Sequence, residues 1–328
     1  MKDLLQGLRA CAEPTRLRIL ALVARGSFCV MEFTEILGQS QPRLSRHLRL
    51  LGEAGLLERV REGANVWFAL PPADSAGGRL ARAVLTQLPN DDALRLDDAR
   101  HAARVLAERA RVASDSFRRT GADWDEMRAL DLPAAAVEQA LLDLLPPGPI
   151  DRLLDIGTGT GRLLELLAPR AASALGIDAS RAMLALARAR LATPELMHCA
   201  VRLADMYRLP LADAGFDVII LQMVLHYAED PSGALAEAAR VLRPGGQLLV
   251  VDLAAHARAD CRERFAHRWP GFNDGRMKSF FTAAGLVGNA IHAVTGTTAD
   301  APLEVRIWTA HRMTAAAPAA RILEDAAP

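Results

Sequence analysis

The stretch LLDIGTGTG, residues 153–161, joins an apolar run to three glycines at alternate positions. Its first half has the character of a buried strand, and the helical pattern RLLELLA follows directly. Gly157, Gly159 and Gly161 suit a tight strand-to-helix turn whose backbone approaches a ligand closely. Nucleotide and dinucleotide folds share such a turn, so its neighbours must distinguish them. Outward from it, RLLDIG, ALGID, HCAVRLAD, FDVIILQ, QLLVVDL, VGNAIHAV and EVRIWTAHRM are seven strand candidates, the first five separated by helical patterns. This alternation predicts a mainly parallel sheet with helices on both faces. The last two strands lie close in sequence, so one of them is expected to run antiparallel.

Two acids supply the ligand chemistry. Asp178 ends the second strand in LGIDAS, where a carboxylate can accept both hydroxyls of a ribose. Asp205 ends the third in VRLADMYRLPL, placed for an adenine amino group with Met206 against the base. The GxGxG spacing and the LRPGG segment argue against a dinucleotide enzyme. Residues 150–313 resemble the class I S-adenosylmethionine-dependent methyltransferases. The resemblance rests on the glycine turn headed by Asp155, the acid after the second strand, LADxxxLP, FDVIILQMVLHYAEDP and LRPGGQLLVVD. It implies a Rossmann-like, seven-stranded α/β domain that binds S-adenosylmethionine or S-adenosylhomocysteine. Asp155 and the glycines would face the methionine moiety, Asp178 the ribose, and Asp205 with Met206 the adenine. Thr158, Ala179, Met183 and Gln222 complete the implied ligand-binding set.

Methyl transfer needs an electrophile held in line with a nucleophile, and a base when the nucleophile carries a proton. Gln222, His226 and Tyr227 follow the fourth strand, and His226 is the candidate base; a hydrogen-bonded structural histidine is the other reading of the same residue. The Asn/Asp-Pro-Pro-aromatic motif of amino-methylating enzymes is replaced by LQMV. Arsenite methyltransferases use several cysteines, whereas this half holds only Cys199 and Cys261. The segment 266–286 is either a cover over a substrate or a packing helix. Residues 116–130 resemble the N-terminal lid helix of the fold, with Phe117 and Trp124 as candidate covers.

The first half has a different pattern. EPTRLRILALVARG predicts a helix with Pro14 near its start and Gly26 past its end. FCVMEFTEILG predicts a short second helix ending at Gly38. SQPRLSRHLRLL, residues 40–51, holds three arginines, a histidine and no acid. Ser40 is an N-cap candidate, Pro42 falls in the first turn, and Gly55 stops the helix after Ala54. Leu44, Leu48 and Leu51 share one face, while Pro42, Ser45, Arg46 and Arg49 share another, with Arg43 beside them. LLERV and VWFAL form a hairpin through REGAN. Helix, turn, basic helix and hairpin make a winged helix-turn-helix of α+β class, whose basic helix enters a DNA major groove. The expected DNA-binding residues are Gln41, Pro42, Arg43, Ser45, Arg46, His47 and Arg49, with Arg59, Arg61 and Asn65 on the wing. Residues 8–70 resemble the ArsR/SmtB winged-helix repressors through PTRLRILALV and the series SRHL, LL, AGLL and R-EG. That resemblance implies a homodimer on a palindromic double-stranded DNA operator. Relatives that sense metals use a Cys-x-Cys pair; here Cys29 is followed by Met31 in the second position, with Cys11 elsewhere, and no metal site is expected.

Lys+Arg and Asp+Glu balance at 39 each, so any DNA surface must be local. Four scattered cysteines without a CxxC pair fit a reducing compartment. Charges run through the apolar positions of the N-terminus, as expected of a cytoplasmic chain without signal peptide or membrane span. The expected divisions are a DNA-binding domain at 1–90, a helical connector, dimerisation and lid region at 91–145, a methyltransferase-like domain at 146–313 and a disordered tail at 314–328. The whole order resembles regulators that respond to S-adenosylhomocysteine. It implies a DNA-binding repressor with an adenosyl ligand as effector. The alternative is an active small-molecule methyltransferase with an accessory DNA-binding domain, and a third reading is a metal-responsive repressor.

Overall fold

A computed structural model describes residues 2–62, 65–71, 75–89, 91–120, 130, 132–258, 261, 265, 267–295 and 303–314. The chain opens with four helices: α1 Lys2–Cys11, α2 Pro14–Val23, α3 Val30–Leu37 and α4 Gln41–Glu53. Glu13 caps α2, its carboxylate accepting the Arg16 N–H at 2.9 Å. Ser40 takes the N-cap position of α4 with extended backbone, although its hydroxyl makes no cap hydrogen bond. Leu44, Leu48 and Leu51 are buried, as their spacing predicts. The helix ends in a left-handed Gly55 (φ +70°), and the Leu56 N–H reaches back to the Leu51 carbonyl at 3.0 Å.

Strands β2 Glu58–Glu62 and β3 Asn65–Ala69 pair antiparallel as the expected wing. One expectation is corrected. FCVMEF is not helical throughout, because Phe28–Cys29 form a short strand β1 against Phe68 and Trp67 of β3. Phe28 is fully buried with its ring centroid 5.7 Å from that of Phe33. In the strand Phe28 is buried beside β3, and α3 starts at Val30, with the Glu32 carboxylate accepting the Cys29 N–H at 2.8 Å.

After α5 Ala76–Leu85 comes a single long helix, α6 Ala93–Thr120. Ala102, Val105 and Leu106 on α6 enter the same buried cluster as α2, α3 and α4. Arg18 of α2 grips both carboxylate oxygens of the buried Asp98 at 2.6 Å. Helix α7 Ala134–Leu144 then leads into the sheet.

The strands β4 Ile150–Ile156, β5 Ala171–Asp178, β6 Cys199–Leu203, β7 Phe216–Gln222, β8 Leu242–Leu253, β9 Leu286–Thr295 and β10 Glu304–Arg312 form one seven-stranded sheet. Its order is β6-β5-β4-β7-β8-β10-β9. The first five pair parallel, and β10 runs antiparallel between β8 and β9, as the short last connection predicts. Helices α8 Arg162–Leu167, α9 Arg181–Arg190, α10 Pro231–Val241 and α11 Asp274–Ala283 complete the described helices. Residues of α7 and α8 pack one face of the sheet, and those of α10 and α11 the other. No helix among the described residues is long and apolar enough to cross a membrane. Beyond Thr314 the expected tail lies outside the described residues.

Candidate functional site

The chain leaves β4 towards β5 on one side and meets β7 on the other, so the strand order reverses between them. Open α/β sheets bind ligands beyond the carboxyl ends of the strands at such a point. A cleft of about 340 Å³ lies there, lined by Gly157, Gly159, Asp178, Ala179, Asp205, Met206, Tyr207, Met223, Val224, Tyr227, Glu229 and Arg268. Gly157 (φ +77°) and Gly159 (φ +54°) hold left-handed backbone that L side chains rarely adopt. A Cβ on Gly157 would also lie 2.7 Å from Val224 Cβ across the turn. The Gly157 and Thr158 N–H groups both donate to the Ile177 carbonyl at 2.8 Å, which ties the turn to β5.

Asp178 is held from two sides. Its Oδ2 accepts the Gly159 N–H at 2.9 Å and its Oδ1 the Ser180 N–H at 2.7 Å. Burial pushes its carboxyl above the ordinary range, against the pull of those donors. Asp155, almost fully buried, is pushed up to about 7 by burial; the Thr158 hydroxyl opposes the rise and the charge of Asp178 adds to it. Asp205 Oδ1 accepts the Tyr207 N–H at 3.0 Å, and the Tyr207 hydroxyl accepts the Glu229 and Asp230 N–H groups at 2.5 and 3.2 Å. Asp178, Asp205, the apolar Met206 and the open glycine backbone are the groups on this wall that could hold the diol, amino edge, base and amino-acid arm of an adenosyl ligand.

Several expected ligand residues stand back from the cleft wall. Asp155 is sealed into the core, and Thr158 packs over Gly176, where a Cβ would meet its hydroxyl at 2.6 Å. Gly161 (φ +76°) serves helix packing, since a Cβ there would lie 3.1 Å from Ala187 Cβ on α9. Met183 is buried within α9 itself. Gln222 is the last residue of β7, and the chain turns at Met223 (φ +50°), which lines the wall in its place.

Of the two readings of His226, the geometry is that of the hydrogen-bonded structural histidine. It is fully buried, with Nδ1 2.7 Å from Asp252 Oδ1. Its ring centroid is 4.2 Å from those of Tyr227 and His267. Asp252 Oδ2 also accepts the Leu225 and His226 N–H groups at 3.0 and 3.2 Å. The imidazole therefore anchors the β7 loop instead of facing the cleft as a base. Within 266–286, α11 is a packing helix with Met277 and Phe281 in the core, while Arg268 reaches the cleft. The Phe117 side chain and Trp124 lie outside the described residues. Tyr207, Val224, Glu229 and Arg268 were not singled out from sequence, although Tyr207 lies in VRLADMYRLPL, Val224 and Glu229 in FDVIILQMVLHYAEDP, and Arg268 in the segment 266–286.

On the winged helix, Gln41, Pro42, Arg43, Ser45, Arg46 and Arg49 are exposed on the face of α4 opposite its leucines. Arg49 makes a loose ion pair with Glu53 at 3.4 Å. His47 is corrected: its side chain is 12% exposed and turns to Glu13, with Nδ1 3.5 Å from the carboxylate. Burial lowers its pKa despite that neighbour. Arg59 and Arg61 are exposed on β2, and the Asn65 side chain is outside the described set.

The two halves touch through the wing. The Trp67 ring of β3 lies between Arg109 of α6, 4.6 Å from its centroid, and Arg188 of α9, 4.4 Å away. Arg202 of β6 forms an ion pair with Glu58 of β2. Arg109 also donates to the Glu32 carboxylate and the Ser27 carbonyl.

Comparison with known proteins agrees with this division. Residues 13–59 match the family described as bacterial regulatory protein, arsR family, and residues 154–250 match the methyltransferase domain family. The chain is 39% identical over 129 residues to an uncharacterized 37.1 kDa protein in transposon TN4556 of Streptomyces fradiae, covering 38% of this chain and 36% of that one. It is 33% identical over 144 residues to a malonyl-[acyl-carrier protein] O-methyltransferase of Serratia marcescens, covering 44% and 53%. A Hahella chejuensis protein of the same description is 30% identical over 189 residues, covering 57% and 64%. The chain thus spans between 36% and 64% of the length of these relatives. Among solved structures, the complex of the Haloferax volcanii Trm112 methyltransferase activator with its methyltransferase partner matches with a TM-score of 0.52 and 20% identity, over 62% of this chain and 98% of that chain. This likeness shows the fold.

Proposed function

We infer, from an arsR-family DNA-binding domain fused to a class I methyltransferase fold, that this chain is a DNA-binding transcriptional repressor with S-adenosylhomocysteine or S-adenosylmethionine as effector. The observation that carries the reading is the contact between ligand-bearing elements and the wing. Asp178 lies at the end of β5, just before α9, and Arg188 on α9 covers Trp67. Asp205 follows β6, and Arg202 on β6 holds Glu58. Both cleft acids are therefore one element away from the DNA-reading module. A ligand shifts such a pair of states only by its differential affinity for them. A movement of α9 or β6 on binding would tilt the wing and reset the spacing of two α4 helices in a homodimer on a palindromic operator.

Fluorescence anisotropy of operator DNA at fixed salt tests this, with no ligand and with each adenosyl ligand at saturation. Asp178→Ala is expected to abolish the ligand effect while leaving basal DNA binding, and Arg46→Ala to weaken binding with or without ligand. Equal operator affinity under all three ligand conditions would overturn the sensor.

The second reading is an active small-molecule methyltransferase with an accessory DNA-binding domain. It is favoured by the descriptions of the relatives, and Tyr227, Glu229 and Arg268 offer polar groups on the cleft wall. The bound donor would supply the methyl group, and these side chains would orient the acceptor. Methyl-donor turnover across a metabolite panel, unchanged by operator DNA, would favour this reading over the first.

A further inference from the structure

Among the described residues, one group of three side chains with metal-ligating atoms is drawn together: His256, Cys261 and His267, whose donor atoms all lie within 4.8 Å of one another. Cys261 and His267 are buried, at 1% and 3% exposure. The cluster is separate from Cys11 and Cys29, the cysteines weighed from sequence, and its spacing has no CxxC signature.

All three residues belong to one excursion between β8 and α11 whose base is tied. The Ala255 N–H donates to the Phe272 carbonyl at 3.1 Å and the His256 N–H to the Pro270 carbonyl at 2.9 Å. The Arg268 and Trp269 N–H groups both donate to the His226 carbonyl, at 3.0 and 3.1 Å. His267 is oriented by ring contacts with His226, 4.2 Å between centroids, and with Tyr227, 5.4 Å in an edge arrangement. His226 is itself fixed by Asp252 at 2.7 Å.

We propose that His256, Cys261 and His267 form a site for a borderline divalent metal ion of the zinc class. Two imidazoles and one thiolate suit such an ion better than the oxygen-seeking Mg²⁺ or Ca²⁺. With bonds of about 2.0–2.1 Å to nitrogen and 2.3 Å to sulfur, tetrahedral geometry sets the ligand atoms roughly 3.4–3.6 Å apart. Closing from the present spread takes about 1 Å of side-chain movement, within reach of small χ rotations. On binding, the Cys261 thiol releases its proton to solvent and its sulfur forms the bond to the metal, with no change of oxidation state. Three protein ligands leave one position for water. The ion would staple the excursion behind Tyr227 and beside Arg268, both of which line the adenosyl cleft. The site stands on its own geometry and does not depend on whether the cleft senses or catalyses.

The test is titration of the chelator-treated, full-length chain with Co²⁺, followed by Zn²⁺. One Co²⁺ per chain is expected, with a thiolate-to-cobalt charge-transfer band in the near ultraviolet that Zn²⁺ abolishes by displacement. Cys261→Ser should remove that band, and His256→Gln should weaken affinity at least tenfold while retaining it at saturation. Cys29→Ser and Cys11→Ser should change neither. Circular dichroism of each variant reports folding, and the wild-type titration decides the matter even where a variant is unstable. Absence of the band in the wild type, its survival in Cys261→Ser, or its loss in Cys29→Ser would each overturn the site.

Discussion

Replacing Trp67 with leucine removes the ring on which two arginines from separate parts of the chain rest. Their guanidinium carbons lie 4.6 and 4.4 Å from the ring centroid, inside the range of about 6 Å for cation–π attraction. Trp67 is 9% exposed and Arg188 5%, so the contact is largely desolvated. Each arginine then contributes about 1–2 kcal/mol, the upper part of the usual span. Leucine keeps an apolar side chain in place, and its smaller volume leaves a cavity that costs about 1 kcal/mol more. The sum is a loss of about 3–5 kcal/mol. Urea unfolding followed by circular dichroism measures it, which avoids relying on a tryptophan signal that the substitution itself alters. A cycle of Trp67→Leu, Arg188→Met and the double variant should return a coupling of about 1–2 kcal/mol. The same variant should shrink the factor by which an adenosyl ligand changes operator affinity, because the clasp joins α9 to the wing. A coupling below about 0.5 kcal/mol, the scatter seen for sites that do not touch, would refute the reasoning.

Gly157→Ala combines a left-handed backbone, costing about 1–2 kcal/mol, with a collision against Val224, so adenosyl-ligand affinity should fall at least tenfold by calorimetry. Adding Val224→Ala should recover part of that loss. Asp155 has a folded-state pKa raised to about 7 from an ordinary 3.8, so the folded state holds its proton more tightly than the unfolded one. Its contribution, at most about 4 kcal/mol, is fully present below pH of about 4 and is lost as pH rises through about 7. The ligand-free melting temperature should accordingly fall between pH 5 and 8, and Asp155→Asn should flatten that slope. His226→Ala leaves the buried Asp252 without its imidazole and should cost about 3–5 kcal/mol by thermal or urea unfolding. A fully stable His226→Ala that lost only methyl transfer would restore the histidine as a base.

Much of the architecture was legible because it depends on order within single elements. The spacing of Leu44, Leu48 and Leu51 marks the buried side of α4 and so exposes Arg43, Arg46 and Arg49. The alternation of apolar runs and helical patterns yields the seven strands, and the glycines with Asp178 and Asp205 mark the cleft. These signals survive in one dimension because a helix or strand repeats its geometry every few residues.

Tertiary structure alone decided the rest. Phe28 and Cys29 became a strand because β3 stood beside them with Trp67 and Phe68 to pair. His226 became an anchor because Asp252, far along the chain, was buried against it, and His47 turned inward because Glu13 stood over it. Met183 and Gly161 were expected at the ligand, but Met183 is buried in α9 and Gly161 is held by close packing against Ala187. The clasp of Arg109 and Arg188 on Trp67 and the meeting of His256, Cys261 and His267 have no counterpart in local spacing. Exposure and contact depend on whichever distant element comes to lie alongside a residue, and only the folded chain brings those partners together.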